Sequence, residues 1–394
     1  MGQEQVEQIL EQAVAGGAVP GAVAIAVDRD GVVAHAAAGA LEVGGQTPVQ
    51  ADTVFRIASM TKALATVAVL QLAEQGRLDL DAEVRSILPE FGELQVLEGF
   101  DGDTPRLRPP ATQATVRQLL NHTAGCSYWF TNADLLRWHD ITQTPDVFSF
   151  SKAYLKAPLV ADPGTRWEYG TNTDWAGLVV EAVSGQTLGA YLREHLFEPL
   201  GMRETSFRRS PEQVQRTMPL HSRTDDGGLV ANGIEYPDEP EFEPGGHGAY
   251  STAGDYGRFL RMLLRGGELD GARVLKEETV DLAFSPSIGD IQLPELIRSA
   301  RPDLTNDIPA LPVPSTWGLG FQLVLADIPD LRRAGSGSWA GLANCYFWVD
   351  RASGVAGAWL TQVLPFFDEP IVNAALTFEG AVYAARGAAV PAAS

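Results

Sequence analysis

Residues 55–76 read FRIASMTKALATVAVLQLAEQG, and the fold turns on how their first eight positions are understood. From Thr61 onward the segment has the periodicity of an apolar helix, with Leu64, Val67, Leu70 and Leu72 forming a broad hydrophobic stripe. The first turn carries Ser59 and, three residues on, Lys62. That spacing sets both side chains on one face of a helix, one turn apart, so an amine can reach the serine oxygen. A lysine so placed acts as a base only if its pKa falls, which burial and the positive end of a helix dipole both promote. Only 4 of the 29 Lys and Arg residues are lysine. A tunable amine therefore stands here where a guanidinium would remain charged.

The tetrapeptide by itself says little. With 18 Ser and 4 Lys in 394 residues, chance gives about 0.2 occurrences of Ser-x-x-Lys. The chain has two, the other being Ser149 with Lys152 in DVFSFSKAYLKAP. That second pair is flanked by polar and proline-bearing stretches and carries Lys156 one turn on, the pattern of a solvated face. Ser59 instead follows the apolar run Val54-Phe55-Arg56-Ile57-Ala58 and opens a helix with an apolar body. It is the pair placed deep and at a helix start.

Composition bounds the rest. At 45 % hydrophobic residues the chain can build a sizeable core. Its formal charge of −21 argues against nucleic acid or an anionic membrane surface as partner, since both are held by clustered Lys and Arg. Two cysteines far apart, Cys126 and Cys345, form no disulfide framework and no metal-ligand spacing, and both read as reduced structural thiols. Six scattered histidines show no His-Glu-x-x-His pattern, so neither a metal nor another cofactor is implied. No serine is centred in Gly-x-Ser-x-Gly, which removes the nucleophile-elbow hydrolases. GGHGAYSTAG (245–254) lacks dinucleotide spacing and reads as a turn before a helix. No leader-like segment or apolar span is visible at the amino terminus, which leads to the expectation of a cytoplasmic enzyme.

Along the chain, residues 3–15 have helical periodicity, and apolar runs either side of Asp28-Arg29-Asp30-Gly31 read as a hairpin. Between 59 and 204 the signals are mostly helical, at 60–75, 114–120, 133–138, 146–156, 172–184 and 187–198. A helix is expected at 253–265, and the proline-rich stretch 286–315 reads as a long loop or flap. WGLGFQLVL, NCYFWVD and VAGAWLTQV are strand-like, and 369–386 is helical. Strands at both ends with helices between them imply an α+β fold, an antiparallel sheet built from both termini and flanked by helices. The division expected is 1–80 with 205–394 as the α/β domain and 81–204 as a mostly helical inserted region.

Ser59-Met60-Thr61-Lys62 after FRIAS resembles the nucleophile motif of serine β-lactamases, penicillin-binding proteins and the related family VIII carboxylesterases. LLNHTAG (119–125), DPGTRWEYGTNTDWAGLVVEAVSGQTL (162–188), LFEPLGMRETSF (196–207), GGHGAYSTAGDYGRFLRMLLRGG (245–267) and WLTQVLPFFD (359–368) extend the resemblance, in order, over nearly the whole chain. It implies the β-lactamase/transpeptidase-like fold, with the site between the two regions. It makes Tyr169 similar to the tyrosine of Tyr-x-Asn or Tyr-Ser, although Thr171 takes the third place and Asn172 the fourth. Trp339-Ala340-Gly341 stands where β-lactamases show Lys-Thr-Gly and resembles the Trp-Gly-Gly of the esterases. A tryptophan in place of that lysine favours neutral esters over carboxylate-bearing substrates.

The resemblance further implies Ser59 as nucleophile, Lys62 and Tyr169 as the proton-transfer groups with the choice of base open, and the backbone N–H groups of Ser59 and Leu342 as oxyanion hole. Trp339, Ala340, Gly341 and Asn172 are expected around the substrate, as is the aromatic cluster Tyr128, Trp129 and Phe130. Hydrolysis of small carboxylic esters with short to medium acyl chains is the leading expectation. A β-lactamase, D-amino-acid amidase or peptidase, or an acyltransferase, is the alternative on the same residues. A non-catalytic ligand-binding relative is a third reading, opposed by the intact Ser59, Lys62 and Tyr169. Oligomeric state is not readable.

Overall fold

The computed structural model describes residues 2–387. Helix α1 (Gln3–Ala15) leads into a hairpin of β1 (Gly21–Asp28) and β2 (Val32–Gly39). Its turn is tied by the Asp28 carboxylate, which accepts from the backbone N–H groups of Asp30 and Gly31. The helices α2 (Thr61–Glu74), α3 (Asn172–Ser184) and α4 (Ala253–Leu264) follow. The C-terminal part supplies β3 (Ser315–Trp317), β4 (Gln322–Val324), β5 (Gly337–Gly341), β6 (Cys345–Asp350) and β7 (Val355–Leu360), and closes with α5 (Glu369–Gly387).

These strands form one antiparallel sheet of seven, in the order β3-β4-β5-β6-β7-β1-β2. Strand β1 lies against β7 with Val23 opposite Leu360 and Asp28 opposite Val355, so the two ends of the chain meet in one sheet. The period of two along β1 divides its side chains. Val23, Ile25 and Val27 enter the larger core with α2 and α4, whereas Ala22, Ala24 and Ala26 face α1 and α5. Both faces are covered, which is why the strand is apolar throughout.

Helix α2 differs from its expected form. Every residue from Thr61 to Leu72 is buried, so the stripe Leu64, Val67, Leu70 and Leu72 is only part of a helix enclosed on all sides. It takes Lys62, Thr66 and Gln71 inside with it, and the Gln71 amide is satisfied by the carbonyls of His195 and Val274. Just before it, Phe55–Arg56 pairs antiparallel with Tyr250–Ser251. This pairing brings the glycine-rich stretch before Tyr250 against the start of α2.

The middle region holds more than helices. Val96–Asp101 and Thr104–Arg108 form a hairpin, hidden in the sequence because its charged side chains mask the alternation. The segment 146–156 is not one helix but two short 3-10 turns, Val147–Ser149 and Lys152–Lys156. The side chains of Asp146 and Ser151 each accept a backbone N–H, and Phe150 adopts φ 52° between them. Local side-chain capping competes here with helix propagation. Ser149 and Lys152 are exposed on separate turns, the Ser149 hydroxyl bonding the Asp146 carbonyl. The stretch 286–315 contains a small hairpin of Leu296–Ile297 with Ile308–Pro309.

Both cysteines are buried and free, and burial pushes each thiol up to about 12. Among the described residues there is no cluster fit for a metal ion, and no helix is long and apolar enough to cross a membrane.

Candidate active site

The turn that presents Ser59 is a 3-10 turn, Ala58–Met60, and Ala58 adopts φ 44°, a conformation costly for a residue with a Cβ. The turn is held from outside by Ile57, whose N–H donates to the Ala249 carbonyl, and by Tyr256, whose hydroxyl donates to the Met60 carbonyl. Ser59 and Lys62 then fall on one face, as their spacing requires. Lys62 is 1 % exposed, and its Nζ lies 3.1 Å from Ser59 Oγ, 2.9 Å from the Tyr128 hydroxyl and 2.8 Å from the Gly246 carbonyl oxygen. Nζ thus has three oxygen neighbours within hydrogen-bond distance, one of them the Ser59 hydroxyl.

Asp174, on the first turn of α3, is fully buried and fixes this arrangement from behind. Its Oδ1 accepts from the Gly246 N–H at 2.8 Å and lies 3.5 Å from His247 Nδ1. A Cβ on residue 246 would stand 2.8 Å from both carboxylate oxygens, so only glycine lets the chain pass between Asp174 and Lys62. Burial, then the negative charge of Asp174, hold the Tyr128 phenol well above its ordinary range. Tyr128 is thus a neutral hydroxyl that accepts from Lys62.

Tyr169 is placed differently. Its ring centroid lies 4.7 Å from Lys62 Nζ, a cation–π distance, and its hydroxyl accepts from Trp339 Nε1 at 2.9 Å. It stacks on Trp167 and meets Tyr128 and Trp339 edge-on. Because an indole N–H only donates, the Tyr169 oxygen is the acceptor there, and its own proton is free for another group.

His122 packs against Tyr169, Trp167 and Trp317. Burial, then the charge of Lys62, keep its imidazole well below 6.5 and neutral. An unfolded chain takes up a proton that this folded imidazole refuses. Stability is therefore full above about 6.5 and is lost as pH falls below it, by up to about 1.4 kcal/mol per pH unit for a single group. Urea unfolding at pH 7.5 and 5.5 should show a smaller loss for His122→Gln than for the natural chain; equal losses would contradict this assignment.

Strand β5 forms the facing wall. Gly341 comes so close to the Ala58–Met60 turn that a Cβ there would sit 2.3 Å from the Ile57 carbonyl oxygen. This approach brings Trp339, Ala340, Gly341 and Leu342 onto one cavity with Ser59 and Tyr169. The cavity measures about 420 Å³ and is apolar in its walls, with Phe130, Trp167 and the flap residues Leu293, Ile297 and Ile308 contributing.

Of the residues expected around the substrate, Trp339, Ala340, Gly341 and Phe130 line this cavity, and Tyr128, Trp129 and Asn172 do not. Tyr128 is turned inward to Lys62 because a buried amine needs acceptors. Trp129 is buried beside Phe130, with the Arg301 guanidinium over its ring. The Asn172 amide lies 3.0 Å from His122 Nδ1 and donates to the Cys126 and Glu168 carbonyls, an internal tie between the loops before α3. Sequence reading missed Gly246 and Asp174 altogether and gave Tyr128 another place. The one signal for the first was the glycine doublet at 245–246; nothing local marks Asp174 or separates Tyr128 from its aromatic neighbours.

A family model described as Beta-lactamase matches residues 6–381. The chain is 33 % identical over 398 residues to the monacolin J acid methylbutanoyltransferase of Aspergillus terreus, covering 96 % of this chain and 95 % of that protein. It is 32 % identical over 397 residues to the lovastatin esterase of Penicillium rubens, covering 96 % and 98 %. The solved structure of unliganded simvastatin synthase (LovD) from Aspergillus terreus superimposes with a TM-score of 0.83 at 32 % identity, covering 97 % of this chain and 98 % of that one.

Proposed function

The chain belongs to the beta-lactamase family, and from that premise we propose that it is a serine acyl-transfer enzyme opening neutral carboxylic esters through an acyl-enzyme on Ser59. The observation that carries this reading is Lys62 Nζ within 3.1 Å of Ser59 Oγ, at a cavity whose facing strand offers Trp339 and no cation. A substrate carboxylate has no partner on that strand. An ester with an apolar body has many.

Lys62 takes the Ser59 proton as Oγ bonds to the ester carbonyl carbon. The oxygen that becomes negative is received by the backbone N–H groups of Ser59 and Leu342. Collapse breaks the bond to the leaving alkoxide, which takes the free proton of Tyr169. Lys62, over the Tyr169 ring, restores that proton. The cycle then runs in reverse, with an acceptor hydroxyl giving its proton and taking the acyl group from Ser59.

Water as acceptor makes the enzyme an esterase, the leading reading. An alcohol as acceptor makes it an acyltransferase, and the apolar walls favour this second reading because they exclude water and hold a second organic molecule. The similarity to both a methylbutanoyltransferase and an esterase supports the same pair of outcomes.

The test is a partition experiment. With p-nitrophenyl butyrate, release of p-nitrophenol should need Ser59, disappear in Ser59→Ala, and be accompanied by a butyryl mass on the Ser59 peptide. Adding increasing amounts of a cyclic secondary alcohol should divert product from butyrate to the new ester if transfer operates. Product composition unaffected by the alcohol leaves hydrolysis alone. Butyryl label on another residue would overturn the proposal.

A further inference from the structure

Tyr169 and Trp339 stand 170 positions apart in the chain, and each is held in place by its own surroundings before the two side chains meet. The Tyr169 carbonyl accepts from the Tyr128 N–H at 3.2 Å, and a Cβ on residue 170 would stand 2.3 Å from Ser127 Cα, leaving the segment no room to shift. The Tyr169 ring is enclosed by Trp167, His122 and Tyr128. Trp339 is paired through β5 with Phe347 of β6, and its indole meets the Trp317 ring edge-on at 4.6 Å. Trp317 is wholly buried and anchored by its own N–H on the Leu120 carbonyl. Two rings so confined keep one geometry, with Trp339 Nε1 at 2.9 Å from the Tyr169 oxygen.

A residue that only walled the cavity would need shape alone. The Trp339 N–H instead reaches the one atom of Tyr169 that changes charge when the phenol acts as an acid. Among the described residues no other group bonds that hydroxyl. With the indole donating, the Tyr169 proton turns away from Trp339 and stays available in the cavity shared with Ser59. When the proton leaves, a phenolate forms beside apolar walls, and a donor already in position holds it without reorganisation.

We propose that Trp339 is a positioning residue that makes Tyr169 an effective acid toward unactivated alkoxides, and that the natural substrates are accordingly esters of alkyl alcohols. This rests on the acyl-enzyme reading above. As the tetrahedral intermediate collapses, the carbon–oxygen bond breaks with its electron pair on the leaving oxygen, which takes the Tyr169 proton. The phenolate so formed is held by the Trp339 N–H and is reprotonated with the proton that Lys62 took from Ser59. An aryl oxide such as p-nitrophenolate leaves without a proton, so a fixed acid adds little to its departure. An alkoxide is a poor leaving group, and its departure depends on one.

The test compares kcat/KM for cyclohexyl butyrate with kcat/KM for p-nitrophenyl butyrate. Weaker contact with the cavity wall lowers both values together and cancels in their ratio. Trp339→Phe should lower the cyclohexyl-to-nitrophenyl ratio about ten- to a hundredfold, the range for losing one hydrogen bond to a charged group. Trp339→His keeps a five-membered ring with an N–H at the corresponding place, and should hold the ratio within about fivefold of the natural one. In a Tyr169→Phe background, adding Trp339→Phe should leave the ratio unchanged within about twofold, because a residue acting through Tyr169 has nothing left to position.

A ratio that Trp339→Phe does not move, or that it lowers again in the Tyr169→Phe background, would overturn the positioning role. Should the Phe variant lose both activities, Trp339→His decides: a preserved ratio supports the role and a collapsed one rejects it. Failure of the function itself looks different, since the natural chain would then carry no butyryl group on Ser59 with either ester, and the role of Trp339 would fall with it.

Discussion

Lys62→Met is expected to lower kcat/KM for p-nitrophenyl butyrate by about a thousandfold or more, the range lost when a positioned general base is removed. Methionine keeps the length and volume of the stem in a wholly buried site and removes the amine that lies 3.1 Å from Ser59 Oγ. The replacement also strips donors from the Tyr128 hydroxyl and the Gly246 carbonyl. Each such loss is worth about 1–3 kcal/mol when the acceptor stays buried. Against this, an apolar side chain no longer brings a buried amine that has to be desolvated, an exchange that is often close to neutral. The protein should therefore stay folded, with near-UV circular dichroism unchanged. Activity within tenfold of the natural chain would return Lys62 to packing and move the base elsewhere.

Gly341→Ala should act through the backbone. The added carbon would stand 2.3 Å from the Ile57 carbonyl oxygen and 3.2 Å from its carbon, with no flexible side chain to give way. Either β5 or the turn holding Ser59 must move. Since both proposed oxyanion donors, at Ser59 and Leu342, flank this contact, kcat should fall about a hundred- to a thousandfold, as when one such donor is lost. KM should change less, because Trp339 and the apolar walls still hold the ester. Steady-state kinetics on p-nitrophenyl butyrate separate the two effects. An unchanged kcat would show that the end of β5 does not receive the developing charge.

The parts of the fold legible in the sequence were those governed by local pattern. The apolar runs on either side of Asp28-Arg29-Asp30-Gly31 gave a hairpin and its turn, while the covering of both faces of β1, with Val23, Ile25 and Val27 on one and Ala22, Ala24 and Ala26 on the other, came from packing. The segment 146–156 misled because the capping side chains of Asp146 and Ser151 break what the apolar spacing suggests. The hairpin at Val96–Asp101 and Thr104–Arg108 was invisible because its core contacts are confined to Val96, Leu97 and Phe100, while charged residues such as Arg108, paired with Asp162, break the alternation along the rest.

By itself the sequence determined that Ser59 and Lys62 share one face of a helix, since a three-residue spacing on a helix leaves no other choice, and that strands from both ends close one sheet. Only the tertiary structure decided which groups complete the site. Tyr128 is separated from Lys62 by 66 positions and Gly246 by 184. Their meeting depends on the Asp174 carboxylate and on the absence of a Cβ at 246. Such features arise where distant segments pack, and packing leaves no periodicity in the chain to read.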